Sequence, residues 1–317
     1  MHPLLLATII ILSLLLLASS FTYFTYVITF RRRKRPINIE RDLGIKIDEY
    51  SEILRMGEEL RKVPYEEIKI KSHDGLTLVG RYYHTKDKAP VDILFHGYRS
   101  SPIHDFAGGV STSFDVGHNV LLVYQRSHGK SEGRSITFGE KEKHDLVLWC
   151  EYITERFGEN TEIILTGISM GAATVILASA LELPVTVKCA IADCPYSSAK
   201  EEICVTVRNL HLPPLLVWPF IRLGAILFAN FDPQKTDVAD AAKSSKIPIQ
   251  LIHGDADSFV PRYMSDKIYS SHGGVMFYDV FPGADHGLSY ITDPKRYKEL
   301  CQKLSEKYVK YKLEESK

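Results

Sequence analysis

The chain opens on an unbroken apolar run and then settles into short hydrophobic stretches separated by polar, periodic ones. Leu4 to Phe30 is dominated by Leu and Ile, with Ser, Thr and Tyr as its only polar members. About 20 apolar residues cross the hydrocarbon core of a bilayer, so this run predicts a membrane-spanning helix with length to spare for tilt. Glu40 to Lys62 reads as a helix, with Leu43, Ile47, Tyr50, Ile53, Leu54 and Leu60 loosely on one face. Two alternating segments, Glu66 to Ser72 and Leu76 to Tyr83, flank His73-Asp74-Gly75 and predict a β-hairpin. Val91 to Phe95, Asn119 to Tyr124, Glu162 to Thr166 and Lys188 to Asp193 are short apolar runs of the buried parallel-strand type. Helical segments lie between them, Lys141 to Phe157 with Gly158 as its stop, and Ala172 to Leu183. Pro248 to His253 and Val275 to Phe281 supply two more strands, and Pro294 to Leu313 a closing helix. An antiparallel start followed by βαβ units predicts an α/β fold with a mostly parallel, doubly wound, eight-stranded sheet. In such sheets the chemistry gathers at the carboxyl ends of the strands.

Composition changes this picture little, and charge changes it locally. At 317 residues, 45% hydrophobic and 25% charged, the chain is a globular protein of average make-up. The 39 basic and 39 acidic side chains cancel, which excludes a general nucleic-acid binder. No residue from Pro3 to Phe30 is charged, yet Arg31-Arg32-Arg33-Lys34-Arg35 follows at once. Lys and Arg stay on the cytoplasmic side of a span, so the cluster predicts an outside amino terminus and a cytoplasmic remainder. The competing reading is a cleaved secretory signal, with Ala18-Ser19-Ser20 imitating a cleavage site. A signal carries its bases before a shorter apolar core, and here the order is reversed, which favours the anchor. Tyr23, Phe24 and Tyr26 fall where an interfacial aromatic belt would lie. The five cysteines, Cys150, Cys189, Cys194, Cys204 and Cys301, have no metal-ligand spacing and read as free thiols, mostly buried. No internal repeat is present.

One strand ends in a chemically loaded turn. Glu162 to Thr166 runs into Gly167-Ile168-Ser169-Met170-Gly171 and then into a helix, which is G-x-S-x-G in its strand-turn-helix setting. A serine held in so sharp a turn exposes its Oγ at a helix N-terminus, where partial positive charge favours a developing oxyanion. At this point the sequence resembles the α/β-hydrolase superfamily. Leu94-Phe95-His96-Gly97-Tyr98-Arg99-Ser100-Ser101 looks like the family's His-Gly loop, which implies an oxyanion hole from the backbone N–H groups of Tyr98 and Met170. The His96 side chain then only packs locally. His253-Gly254-Asp255-Ala256-Asp257-Ser258-Phe259-Val260-Pro261 is similar to the family's H-G-x-x-D-x-x-V-P segment and implies Asp257 as triad acid. Asp255 is its rival by chemistry alone, and His253 reads as structural. Gly283-Ala284-Asp285-His286-Gly287 implies His286 as base, and the order Ser169, Asp257, His286 is the one this fold uses.

What the resemblance implies is acyl transfer through a serine: His286 takes the Ser169 proton, and Asp257 holds the imidazole. The oxyanion rests on two amides, and water clears the acyl-enzyme with no metal or organic cofactor. An ester is the first expectation, then a thioester, then an amide. An acyltransferase on the same triad and a non-catalytic binding module remain as alternatives. Gln125-Arg126-Ser127-His128-Gly129-Lys130-Ser131-Glu132-Gly133, with Phe138-Gly139-Glu140 and Asp145-Leu146, looks like bacterial, often membrane-anchored hydrolases grouped with serine aminopeptidases and acylglycerol lipases. The family's Asp before Gln-Arg is Tyr124 here. The resemblance covers about residues 65–310.

These expectations divide the chain into an anchor at residues 1–30, a basic and helical linker at 31–64, and a hydrolase domain at 65–317. Within the last, residues 198–246 form a lid that contains the apolar run His211 to Ala229, broken by Pro213, Pro214 and Pro219. Those side chains line an acyl or lipid pocket, or they simply pack the lid onto the domain. The expected partners are a small-molecule or lipid-like acyl substrate and, through residues 4–30, a membrane.

Overall fold

The computed structural model describes residues 2–33 and 47–311. Eight strands form one sheet: β1 Glu66–Lys71, β2 Thr77–Tyr83, β3 Val91–Phe95, β4 Asn119–Tyr124, β5 Ile163–Ile168, β6 Val187–Asp193, β7 Ile249–Gly254 and β8 Met276–Phe281. Their order is β1-β2-β4-β3-β5-β6-β7-β8. β2 is antiparallel to both neighbours, and every pairing from β4 through β8 is parallel. The edge strand β1 buries only Ile68, whereas β3 and β4 are buried at every position. Helices on both faces require that difference, because a sheet covered twice reads as continuous hydrophobic runs. β3 pairs with β4 on one side and β5 on the other. The strand order reverses there, and the carboxyl ends of β3 and β5 open the crevice in which such sheets bind their ligands.

The principal helices are α1 Pro3–Thr29, α2 Ile47–Lys62, α3 Glu142–Phe157, α4 Met170–Ser179, α5 Ala199–Asn209, α6 Pro214–Gly224, α7 Tyr263–Ser271 and α8 Pro294–Tyr308. Trp149, Cys150 and Ile153 of α3 sit fully buried on one face of the sheet, and α4 is buried at all ten positions beside them. Tyr297, Cys301 and Leu304 of α8 pack on the opposite face with Ile164, Ile191 and Phe281. Among the described residues α1 is the helix long and apolar enough to cross a membrane.

Several boundaries differ from the expectation. The helix after the elbow begins at Met170 rather than Ala172, because the turn passes into it directly, and it stops at Ser179 rather than Leu183. The last helix ends at Tyr308, where the Glu162 carboxylate accepts the backbone N–H groups of Lys310 and Tyr311 at 2.8–3.0 Å and draws the chain away. Of the apolar stripe expected over Glu40 to Lys62, residues 40–46 lie outside the described residues. Ile53 and Leu60 are buried with Gly57 between them, close against Ile103 and Ala107. Leu54, one position on, turns about 100° away and is exposed.

Candidate active site

The elbow is built by exclusion of side chains. Ser169 is held at φ +55°, ψ −117°, a left-handed conformation that costs a non-glycine residue on the order of 1–3 kcal/mol. A Cβ on Gly171 would lie 1.7 Å from the carbonyl oxygen of Phe95, and one on Gly167 would lie 2.3 Å from the carbonyl carbon of Gly171. Both glycines are therefore obligatory, because the end of β3 presses on Gly171 and the first residues of α4 press on Gly167 too closely for anything larger. The Ser169 N–H donates to the carbonyl of Asp193 at 2.8 Å, which ties the elbow to the end of β6. Met170 is the first residue of α4, so its own N–H has no carbonyl within the helix to bond.

The loops after β7 and β8 bring two further groups to the serine. His286 Nε2 lies 3.0 Å from Ser169 Oγ, and His286 Nδ1 lies 2.8 Å from Asp257 Oδ2. An ionised carboxylate can only accept, so Nδ1 carries the proton and Nε2 presents its lone pair to the serine hydroxyl. Asp257 is enclosed. Its Oδ1 accepts the N–H groups of Phe259 and Val260 at 3.0 and 2.7 Å, and His253 Nε2 stands 3.2 Å from Oδ2. Burial alone would raise the Asp257 carboxyl, but the charge of His286 and the bond from His253 hold it well below the usual carboxylate range. Burial likewise opposes an imidazolium at His286, and the Asp257 carboxylate outweighs it, raising the imidazole above its ordinary value. The pair thus favours the charge distribution that appears when a proton leaves Ser169.

The rival acid is placed elsewhere. Asp255 accepts the N–H of Gly283 at 2.6 Å and joins the two loops without touching His286. His253 is fully buried, hydrogen-bonded to Ser265 Oγ and to the carbonyl of Val260. His96 is also buried, bonded to the backbone of Gly97 and Gln125. Gly97 lies against Ser169, since a Cβ there would be 3.3 Å from that of the serine, and its N–H donates to Asp105 Oδ2 at 2.6 Å. The next residue but one, Arg99, donates its N–H to His128 Nε2 at 3.0 Å. Tyr98 stands between these two pinned amides. Its ring packs on Phe138, and its hydroxyl donates to the carbonyl of Thr29 in α1.

The sequence did not single out every group the fold gathers here. Asp285 accepts the N–H groups of His286 and Ser258, both at 2.8 Å, and fixes the histidine loop on the acid loop. Its position beside His286 is the signal that could have found it. Glu202 of α5 is buried with Oε2 lacking a hydrogen-bond partner among the described residues, and burial pushes its carboxyl up to about 8. Nothing in its sequence surroundings announces that burial. The Tyr196 hydroxyl is similarly buried without a partner. All five cysteines are free, four of them buried and Cys204 half-buried. Cys194, Asp257 and His286 offer ligand atoms within 4.8 Å of one another. Two of those groups are already paired, and burial pushes the Cys194 thiol up to about 11, which disfavours the thiolate a metal needs. Arg126 is absorbed structurally, bidentate to Asp145 and reaching Asp74 in the hairpin turn. Tyr124, which stands where the resembled family has Asp, packs its ring over Gly129.

No protein-family model matches the chain. The Bacillus subtilis protein YqkD, itself uncharacterised, is 23% identical over 282 residues, covering 88% of this chain and 90% of its own. Among solved structures, an esterase of Pyrococcus furiosus superposes with a TM-score of 0.65 at 24% identity, over 80% of this chain and 94% of the esterase. The α/β hydrolase GrgF from a Penicillium species gives 0.62 at 16% identity, over 78% of this chain and all of GrgF. With the strand order, the elbow after β5 and the two loops after β7 and β8, these likenesses identify the architecture: the chain has the α/β-hydrolase fold.

Proposed function

We propose that the protein is a serine hydrolase that cleaves a carboxylic ester through an acyl-enzyme. The observation that carries this reading is the chain of contacts from Ser169 Oγ through His286 to Asp257, at 3.0 and 2.8 Å. Ser169 Oγ attacks the ester carbonyl as His286 Nε2 takes its proton, and Asp257 stabilises the resulting imidazolium. The tetrahedral oxyanion is received by the N–H groups of Met170 and Tyr98. His286 then returns the proton to the departing alkoxide, and water, deprotonated by the same imidazole, releases the acid and restores Ser169. The predominantly apolar run from Leu212 to Ala229 supports an apolar acyl group over a charged one. Fluorophosphonate labelling of the purified chain tests the reading. The parent should label and Ser169→Ala should not, with ester turnover lost in parallel; a labelled Ser169→Ala would refute the nucleophile.

The same reading assigns residues 1–30 to a single membrane span, residues 65–317 to the catalytic domain and residues 198–246 to its lid. The catalytic domain lies in the cytoplasm and the amino terminus outside. Five bases within residues 31–35 support that orientation, since placing each at mid-membrane costs about 2.5 to 3.5 kcal/mol. Protease added to intact spheroplasts of an expressing bacterium should leave the domain uncut. Digestion, or release of a shortened soluble chain, would reverse the assignment.

A further inference from the structure

The lid and the end of α1 are one packed unit. Phe21 meets Phe220 edge-on at 5.0 Å, and Tyr23 and Tyr26 each meet Phe228 at 5.2 Å. A Cβ on Gly224 would fall 2.9 Å from the Thr22 carbonyl oxygen, so the two helices cross almost backbone to backbone. Below this crossing Phe30 is fully buried between Phe138 and Phe231, and Arg32 donates to the carbonyls of Gly129 and Ser131. The helix is therefore docked at a fixed depth against the lid.

That depth has a consequence. α1 has 27 residues, about 40 Å at 1.5 Å per residue, and about 20 of them cross the hydrocarbon core. Counted from Pro3, the core ends near Thr22, the residue against which Gly224 packs. The side of the lid turned away from the domain is meanwhile strongly apolar. Leu215 is 86% exposed, Leu216 65% and Leu227 61%, with Leu223 and Ile226 beside them. No charged residue occurs from Leu212 to Ile221, and Arg222 is neutralised by Asp232 at 2.8 Å. Soluble surfaces rarely gather leucines in this way without a partner.

We propose that the outer face of α6 and the turn Ala225–Ala229 lies in the bilayer interface, in the leaflet from which α1 emerges. It rests on the reading of α1 as a span. The lid is then a second membrane contact, parallel to the surface where α1 crosses it, and the Ser169 crevice opens at the headgroup level. Combined with the proposed function, this assigns as substrate class an ester whose acyl chain resides in the membrane.

The chain carries its own reporter. Of its two tryptophans, Trp149 is fully buried in the domain and Trp218 lies partly exposed on α6. The full chain is reconstituted in vesicles of palmitoyl-oleoyl phosphatidylcholine and phosphatidylglycerol whose acyl chains are brominated at a shallow or a deep position. Shallow bromines should remove most of the Trp218 emission and deep ones less, and Trp218→Phe should abolish the lipid-dependent loss. Leu215→Asp combined with Leu216→Asp should weaken the quenching and slow hydrolysis of a long-chain ester embedded in the vesicle, while turnover of a water-soluble short ester is kept. Extraction of the chain by alkaline carbonate would overturn the proposal together with the span. Retention of the chain with Trp218 unquenched would overturn the lid contact alone, and cross-linking of Leu216→Cys between copies would then give that face to a second copy of the chain. Quenching in a protein that hydrolyses no ester would uphold the lid contact and refute the proposed function.

Discussion

The loops around Ser169 and the outer face of α6 solve opposite problems. In the loops, polar atoms are enclosed and paired: Asp257 has both oxygens occupied, Asp285 and Asp105 each hold a backbone amide, and Ser169 is kept in a conformation it would not choose. On the outer face of α6 and the turn after it, the outward side chains Leu215, Leu216, Leu223, Ile226 and Leu227 are apolar, and the helix docks on α1. Pre-organised hydrogen bonds hold charge where it will develop, whereas an apolar surface takes its energy from whatever covers it. The difference teaches where sensitivity to mutation should lie. Substitutions in the loops should act on the chemical step in any medium, and substitutions on the outer face of α6 should act only where a membrane is present.

The sharpest way to break this comparison is at the acid. Asp257→Asn keeps the shape but removes the charge that fixes the His286 tautomer, and turnover should fall about 10⁴-fold with little change in the melting temperature. Asp255→Asn disturbs only the bond to Gly283 and should cost far less. If steady-state kinetics show the reverse ranking, the acid has been misassigned. Combining Asp257→Asn with Ser169→Ala should add little to Ser169→Ala alone, because the members act as a unit.

A smaller effect sharpens the boundary between the two regions. Glu202 of α5 is buried, and burial raises its folded carboxyl from 4.5 to about 8. The folded chain keeps a proton there that the unfolded chain releases. Its contribution to stability is therefore whole below about pH 4.5 and is lost as pH rises through about 8. Glu202→Gln removes that dependence. Its melting temperature should match the parent's in acid and exceed it above about pH 8, read by a thermal series across pH. A parent whose stability stays level over that range would show that Glu202 is solvated rather than buried.

The residues legible in advance were those that chemistry forces into a fixed local pattern. Gly167 and Gly171 could be read because a Cβ on either would run into backbone, of the turn itself or of Phe95, and that constraint spans five consecutive residues. β3 and β4 were readable end to end because strands covered on both faces are nearly continuous apolar runs, interrupted only by the buried Asp92 and Asn119. Helix ends were less so. The stop of α8 depends on the carboxylate of Glu162, nearly 150 residues away, and no pattern near Tyr308 encodes it. The burial of Glu202 and the outward turn of Leu54 escaped for the same reason, since each is set by what another element leaves uncovered.

By itself, then, the sequence determined the eight strands, the apolar helix at the start and the glycine-flanked turn at Gly167 to Gly171, because each rests on a periodicity or a short motif within one stretch of chain. Only the tertiary structure decided that Asp257 comes within 2.8 Å of His286, that Thr22 meets Gly224, and that α6 turns its leucines outward. Those facts depend on distances between elements far apart in sequence, and a linear pattern of hydrophobic and polar residues carries no information about which faces will meet.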